Sequence, residues 1–172
     1  GYNVLLLDGI LDAHFISTLE QKYGDCQFAR VDSASIDKLI EKEEESKESK
    51  LNDEQKESVK KAFGEIIDKT SFNVEFSNLN EADAPVEVIQ NEFMRRMKEM
   101  STMNGMSMWG GMPDSYTLML NANNPVIAGL VDKNEEEQKN TIHQLYDLAR
   151  LSKNLLKGKD LNEFVKRSFN EI

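Results

Sequence analysis

The chain has 172 residues and a net charge of -10, with 39% hydrophobic and 30% charged residues. An acidic surface repels nucleic-acid phosphates and anionic lipid headgroups, so we expect neither a nucleic acid nor a membrane as a partner. No apolar run approaches the ~20 residues of a membrane span. The single cysteine, Cys26, excludes an intrachain disulfide. Together these features predict a cytoplasmic globular protein.

The first 34 residues show the pattern of a small βαβ subdomain. An apolar run at residues 4–7 predicts a buried strand, and Gly9 closes it. Apolar residues at helical spacing predict a helix over residues 13–23, ending at Gly24. Weak alternation at residues 26–31 predicts a second strand. Strand, helix and strand within about 30 residues imply a parallel pair.

Residues 35–50 form a charged boundary. A few apolar residues begin a helix here, but the chain then becomes a mixture of glutamate and lysine without an apolar face. Such a stretch has nothing to bury, so we interpret it as a charged helical linker region.

Residues 51–172 predict a second domain of the α+β class. Asn52 and Gln55 have the spacing of a capping box and predict the start of a helix. Asn124 and Pro125 predict the start of a short one. Three stretches have the alternation of strands and predict a three-stranded sheet, in which we expect the first two to pair; they are residues 72–77, 86–89 and 116–120.

Two helices are predicted to end the chain, roughly at residues 135–156 and 160–172, with a turn at residues 157–159. Apolar residues cover about 220° of the first helix, whereas a helix lying on its own domain needs a stripe of ~100° or somewhat more. The excess suggests a second partner. Pairing with another copy would give a dimeric four-helix bundle, since two-fold dimers are the commonest oligomers. Packing of both helices on the chain's own sheet is the alternative.

All eight methionines fall between residues 94 and 119. Phe93, Met97 and Met100 share one helical face, which Met94 widens; we call this segment, residues 93–103, the Met helix. A glycine-rich stretch containing Trp109 follows. Methionine is flexible and suits promiscuous binding, although a methionine stripe also packs well into a core. The pattern leaves both interpretations open.

Catalytic motifs are missing from the sequence. It contains no phosphate-binding loop and no nucleophile elbow, and its two histidines lie far apart. The best catalytic candidate is the predicted strand-to-helix turn with Asp8, Asp12 and His14. We expect no catalytic residue, no metal site and no cofactor site.

Four segments resemble the bacterial HtpG branch of the 90-kDa heat-shock chaperone family. They are GYNVLLLD at residues 1–8, FMRRMKEM at 93–100, LMLNANNP at 118–125 and LYDLA at 145–149. The resemblance covers essentially the whole chain and keeps the family's order. It implies that residues 1–34 end the middle domain of a heat-shock chaperone and that residues 51–172 form its C-terminal dimerisation domain.

The resemblance also implies the partners. We expect a homodimer that contacts unfolded or partly folded client proteins during the stress response. ATP and Mg would bind the full-length protein in a nucleotide domain absent from this chain, so the chain itself should hold no cofactor and catalyse no reaction. A peptide-binding adaptor that uses the Met helix is the alternative function.

Two sets of residues carry these expectations. The expected client contacts are Phe93, Met94, Met97, Met100 and Trp109. The expected dimer interface consists of Leu145, Leu148, Leu151, Leu155, Leu161, Phe164, Val165 and Phe169.

Overall fold

The computed structural model describes residues 5–7, 9, 11–25, 28, 48–90, 95 and 115–170. Within them the chain is α+β, as predicted. The elements in chain order are α1 (Asp12–Lys22), α2 (Asp53–Ile66), β1 (Phe72–Ser77), β2 (Val86–Gln90), β3 (Tyr116–Asn121), α3 (Pro125–Ala128) with a 3-10 turn (Gly129–Asp132), α4 (Glu135–Ser152) and α5 (Gly158–Asn170).

The N-terminal segment departs from the predicted βαβ unit. Helix α1 is present, but residues 5–7 and 28 have no regular structure, and Leu5, Leu6 and Leu7 are exposed. An apolar run becomes a buried strand only where a neighbouring strand pairs with it, and no described strand pairs with residues 5–7. The prediction of a strand is therefore wrong for these three residues. The other residues of the two predicted strands lie outside the described part.

Helix α2 begins at the predicted capping box. The Gln55 backbone N–H donates to Asn52 Oδ1 at 2.8 Å, and the Asn52 backbone N–H donates to Gln55 Oε1 at 3.0 Å. Two N–H groups that the first turn leaves without helical partners are thereby satisfied. Val59 and Phe63, four residues apart on one face, are fully buried. The local sequence thus fixes both the start of α2 and the face that it buries.

The sheet has the order β1-β3-β2. β1 pairs with β3 in parallel, from Phe72 opposite Tyr116 to Ser77 opposite Asn121, and β2 pairs with β3 in the antiparallel direction. The prediction that β1 and β2 pair with each other is wrong, because β3 lies between them. β3 is the most completely buried strand, with Leu118 and Leu120 at 0% exposure, so the central position suits it.

One face of the sheet carries the hydrophobic core. Helices α2 and α4 pack on each other and against this face. Residues that pair across the strands point to the same side, so β1, β3 and β2 contribute every second side chain to it. The core side chains are Leu51, Val59, Phe63, Ile67, Val74, Val86, Val88, Leu118, Leu120, Ala122, Ile127, Leu130, Ile142, Leu145, Tyr146 and Ala149.

The connection between β1 and β2 is held by three buried side chains, Asn121, Asn123 and Asn124, here called the asparagine cluster. Their amide groups donate to backbone carbonyls of residues 78–85. The bonds join Asn121 to Asn80 (2.7 Å), Asn123 to Leu79 (3.1 Å), and Asn124 to Glu81 (3.2 Å) and Asp83 (2.9 Å). Backbone carbonyls are obligatory acceptors, so the cluster supplies donors that the ladder of a β1–β2 hairpin would otherwise have supplied.

Asn124 also forms the N-cap of α3. Its Oδ1 accepts the Val126 backbone N–H at 2.9 Å, and Pro125 occupies the first turn, as predicted. The same side chain therefore caps a helix and holds the loop before β2. Asn134 caps α4 by accepting from the Glu137 backbone N–H at 2.9 Å.

These two caps form a matched pair for mutagenesis. We expect Asn134→Ala to lower the free energy of unfolding by about 1 kcal/mol, the usual loss of an N-cap. Asn124→Ala should lower it by about 2–4 kcal/mol, because it also leaves two loop carbonyls without donors. Urea unfolding monitored by circular dichroism would measure both. Equal losses would contradict a role for Asn124 in holding the loop.

Candidate dimerisation surface

The C-terminal helices α4 and α5 are joined by residues 153–157. α4 ends four residues earlier than predicted, because Asn154 adopts φ +57° and the Leu155 N–H donates to the Arg150 carbonyl at 2.9 Å. This left-handed residue after the last turn is a Schellman-type ending, for which asparagine substitutes for glycine. Gly158, at φ +59°, is the first residue of α5 and not the centre of the turn.

One face of α4 belongs to the core. Ile142, Leu145, Tyr146 and Ala149 are buried against the sheet and α2. The Tyr146 ring meets the Phe72 ring edge-on, with centroids 5.3 Å apart and planes at 87°. Burial raises the pKa of the Tyr146 hydroxyl, and the nearby Arg150 charge opposes that rise. The ring therefore remains neutral near pH 7 and belongs to the core.

A second face of α4 meets α5 through four charged side chains, Asp147, Arg150, Asp160 and Arg167, here called the ionic clamp. Arg150 Nη1 donates to Asp147 Oδ1 at 3.2 Å, and Arg167 Nη2 donates to Asp147 Oδ2 at 2.7 Å. Arg150 Nη2 donates to Asp160 Oδ2 at 2.7 Å. From residue 147 to 150 on α4 the partners run backwards from 167 to 160 on α5, the order expected of the predicted antiparallel neighbours.

Aromatic rings lie beneath both guanidinium groups of the clamp. The Arg150 guanidinium is 4.9 Å from the Tyr146 ring centroid, and that of Arg167 is 5.8 Å from the Phe164 ring centroid. Both distances suit cation–π attraction. Burial alone would lower the pKa of Arg150, but its hydrogen bond to Asp160 and the neighbouring negative groups raise that pKa above its usual value. Arg150 is therefore a permanent cation.

Both helices also carry apolar side chains that remain partly or largely exposed within one chain. On α4, Leu148 is 46% and Leu151 38% exposed; on α5, Val165 is 41% and Phe169 71% exposed. We call these four residues the exposed apolar pairs. They account for half of the interface residues expected from the sequence. Of the other four, Leu155 and Leu161 are half-buried, and Leu145 and Phe164 are buried within the chain itself.

A second set of residues expected from the sequence concerns client contact. The expected client contacts Phe93, Met94, Met97, Met100 and Trp109 all lie outside the described residues.

The catalytic candidate at the start of α1 has a simple structural explanation. Asp12 Oδ2 accepts the Gly9 backbone N–H at 2.6 Å, so its carboxylate closes the turn before the helix. His14 is exposed, and Asp8 lies outside the described residues. In the part of the chain that the structure describes, no three His, Cys, Asp or Glu side chains gather as a possible metal site. Nor does any helix in that part have the length and apolarity to cross a membrane.

Fold and surface together define a class: an α+β module that ends in a helical hairpin with apolar side chains left uncovered by its own chain. The family model described as "Hsp90 protein" matches residues 1–172. The chain therefore belongs to the Hsp90 family, and the resemblance seen in the sequence is confirmed.

Three relatives illustrate the match, each named "Chaperone protein HtpG". The one from Bacteroides thetaiotaomicron is 35% identical over 241 positions, covering 100% of this chain and 35% of the relative. That from Bacteroides fragilis is 33% identical with the same coverage. That from Porphyromonas gingivalis is 41% identical over 149 positions, covering 84% of this chain and 22% of the relative.

The chain thus spans about a third of the length of the curated relatives that it matches. An aligned stretch of 241 positions is longer than the chain's own 172 residues, so the two Bacteroides relatives carry extra residues within it.

The two phenylalanines of α5 separate folding from surface effects. Phe164 is 8% exposed and Phe169 is 71% exposed. We expect Phe164→Ala to lower the free energy of unfolding by about 3–5 kcal/mol, because it opens a cavity. Phe169→Ala should change it by no more than about 0.5 kcal/mol, as surface substitutions do. Urea unfolding at submicromolar protein, where self-association is least, would test this. A loss at Phe169 as large as that at Phe164 would contradict its exposed position.

Proposed function

We propose that this chain is the homodimerisation and client-contact module of an HtpG-type chaperone. The homodimerisation part of this proposal rests on the exposed apolar pairs. They are Leu148 and Leu151 on α4 with Val165 and Phe169 on α5. Soluble proteins rarely leave clustered apolar side chains uncovered without a use. Membership of the Hsp90 family makes association with a second copy the use that we favour.

A second copy suits the geometry of a helical hairpin. Two hairpins related by a two-fold axis would form a four-helix bundle, in which the same residues from both chains meet. Burial of apolar surface contributes roughly 25 cal/mol per Å². A stable interface needs at least about 1,000 Å² in total. The half-buried Leu155 and Leu161 extend the apolar surface beyond the exposed pairs.

Assembly is tested by placing charge on this surface. We expect the unmodified chain to sediment as a dimer at tens of micromolar, and the double variant Leu148→Asp/Phe169→Asp to sediment as a monomer. An unpaired charge buried in an apolar interface costs several kcal/mol, which is enough to dissociate a micromolar dimer. His143→Asp, at an exposed position of α4 about 140° around the helix from Leu148, controls for an added charge. A monomeric unmodified chain would refute the proposal.

The client-contact half of the proposal comes from the Met helix and the family. Methionine side chains adapt to many shapes, which suits weak contact with partly unfolded proteins. Phe93, Met94, Met97, Met100 and Trp109 are the proposed contacts. A peptide-binding adaptor that holds one fixed sequence in the same place remains the second candidate function.

Two methionine substitutions distinguish a contact surface from a core. We expect Met97→Ser with Met100→Ser to leave the melting temperature nearly unchanged and to weaken binding of reduced, permanently unfolded lactalbumin. Met119, on the central strand and 3% exposed, is the buried control. Met119→Ala should lower the free energy of unfolding by about 2–5 kcal/mol. A comparable fall for the double variant would refute the contact role, and binding of only one peptide sequence would favour the adaptor.

We also propose that this chain alone neither binds nor hydrolyses ATP. About two thirds of the relative from Bacteroides thetaiotaomicron lies outside the match, so a nucleotide site of the whole protein can lie there. The four charged side chains of the ionic clamp pair with one another and leave no open charged site there.

A further inference from the structure

The ionic clamp joins α5 to α4, and α5 also has one buried aromatic ring. Phe164 is the buried hydrophobic residue of α5, while its charged residues Asp160 and Arg167 reach across to α4. The side chains at the centre of the clamp are well shielded: Asp147 is 11% and Arg150 17% exposed. Most charged pairs elsewhere on these helices are far more exposed, as Lys139–Glu135 and Lys159–Glu163 illustrate.

A shielded ion pair of this kind fixes geometry more than it adds stability. The free-energy cost of removing two charges from water offsets most of their mutual attraction. Proteins in which well-packed apolar residues replace such a pair are often as stable. A charged pair differs from an apolar contact because it tolerates few relative orientations. Here both oxygens of Asp147 are occupied, Oδ1 by Arg150 and Oδ2 by Arg167, so the carboxylate is satisfied only when both arginines converge on it.

That constraint also determines where the exposed apolar pairs point. Each helical residue turns the side chain by 100°. With Arg167 held at the clamp, Val165 and Phe169 lie about 160° around α5 from it, on nearly the opposite side. On α4, Leu148 lies about 100° from Asp147. A rotation of α5 about its axis would change the direction in which Val165 and Phe169 point relative to α4.

We propose that the ionic clamp is the positioning device of the dimer: it sets the rotation of α5 on α4 and thereby the direction in which Val165 and Phe169 are presented to a partner copy. This inference rests on the proposed homodimer. Asp147, Arg150, Asp160 and Arg167 are positioning residues that act through Leu148, Leu151, Val165 and Phe169. The clamp therefore governs the affinity and geometry of pairing more than the stability of a single chain.

The test replaces the clamp without leaving a charge unpaired. In the double variant Asp147→Leu/Arg167→Met, Arg150 keeps Asp160 as its partner. We expect its urea unfolding midpoint at submicromolar protein to equal or exceed that of the unmodified chain. We expect its dimer dissociation constant, measured by sedimentation equilibrium, to rise at least tenfold. The matched control is Glu135→Gln/Lys139→Gln, which removes an exposed pair from the same helix and should leave both values unchanged.

The outcomes are distinct. A monomeric unmodified chain would refute the proposed homodimer itself. A dimeric unmodified chain with an unchanged constant in the clamp variant would refute only the positioning role. If the clamp variant does not fold, Arg167→Lys keeps the charge but loses the planar two-nitrogen geometry of arginine. We expect that variant to fold and to dimerise several-fold more weakly; an unchanged constant would overturn the inference.

Discussion

Helix α4 must satisfy three different surroundings at once, and the rest of the domain depends on how it does so. Three consecutive residues show the constraint. Tyr146 points into the core, Asp147 is held by arginines of α4 and α5, and Leu148 is 46% exposed. Successive residues of a helix are 100° apart, so the side chains of three neighbouring residues point in three different directions. A shift of α4 about its axis would disturb the sheet contact, the clamp and the outer apolar face together.

The three faces are also connected physically. The Tyr116 ring on β3 stacks on Phe72 of β1 at 5.3 Å, and Phe72 meets Tyr146 edge-on. The Arg150 guanidinium lies 4.9 Å from the Tyr146 ring centroid, and its hydrogen bond reaches Asp160 of α5. Packed contacts therefore run without a gap from the central strand to the last helix. Because the aromatic rings are rigid, the sheet serves as the base against which the helical hairpin is oriented.

Local sequence patterns predicted local structure well and long-range pairing poorly. The caps at Asn52 and Asn124 were predicted because the backbone N–H group that each cap accepts lies within three residues. The β1–β2 pairing was wrong because strand order depends on which strand buries both faces, and because the asparagine cluster supports the loop from a distant part of the chain. The ionic clamp was not predicted. The spacing of Asp147 and Arg150 indicates only a pair within α4, whereas Arg167 comes close to Asp147 only when α5 folds back on α4. The excess apolar surface of α4 was visible from periodicity alone.

Charge adds a final constraint on self-association. Two chains that each carry a net charge of -10 repel one another, so the apolar contact must offset that repulsion. The acidic excess is not spread evenly: residues 135–170, which form α4, α5 and their connection, hold seven lysines and arginines against six aspartates and glutamates. The helical hairpin is thus the least acidic end of the chain. Pairing there would keep the acidic remainder of each copy at a distance, where ions at physiological strength screen it within about 8 Å. The clamp, whose four charges cancel, adds no net charge to the surface that would be buried.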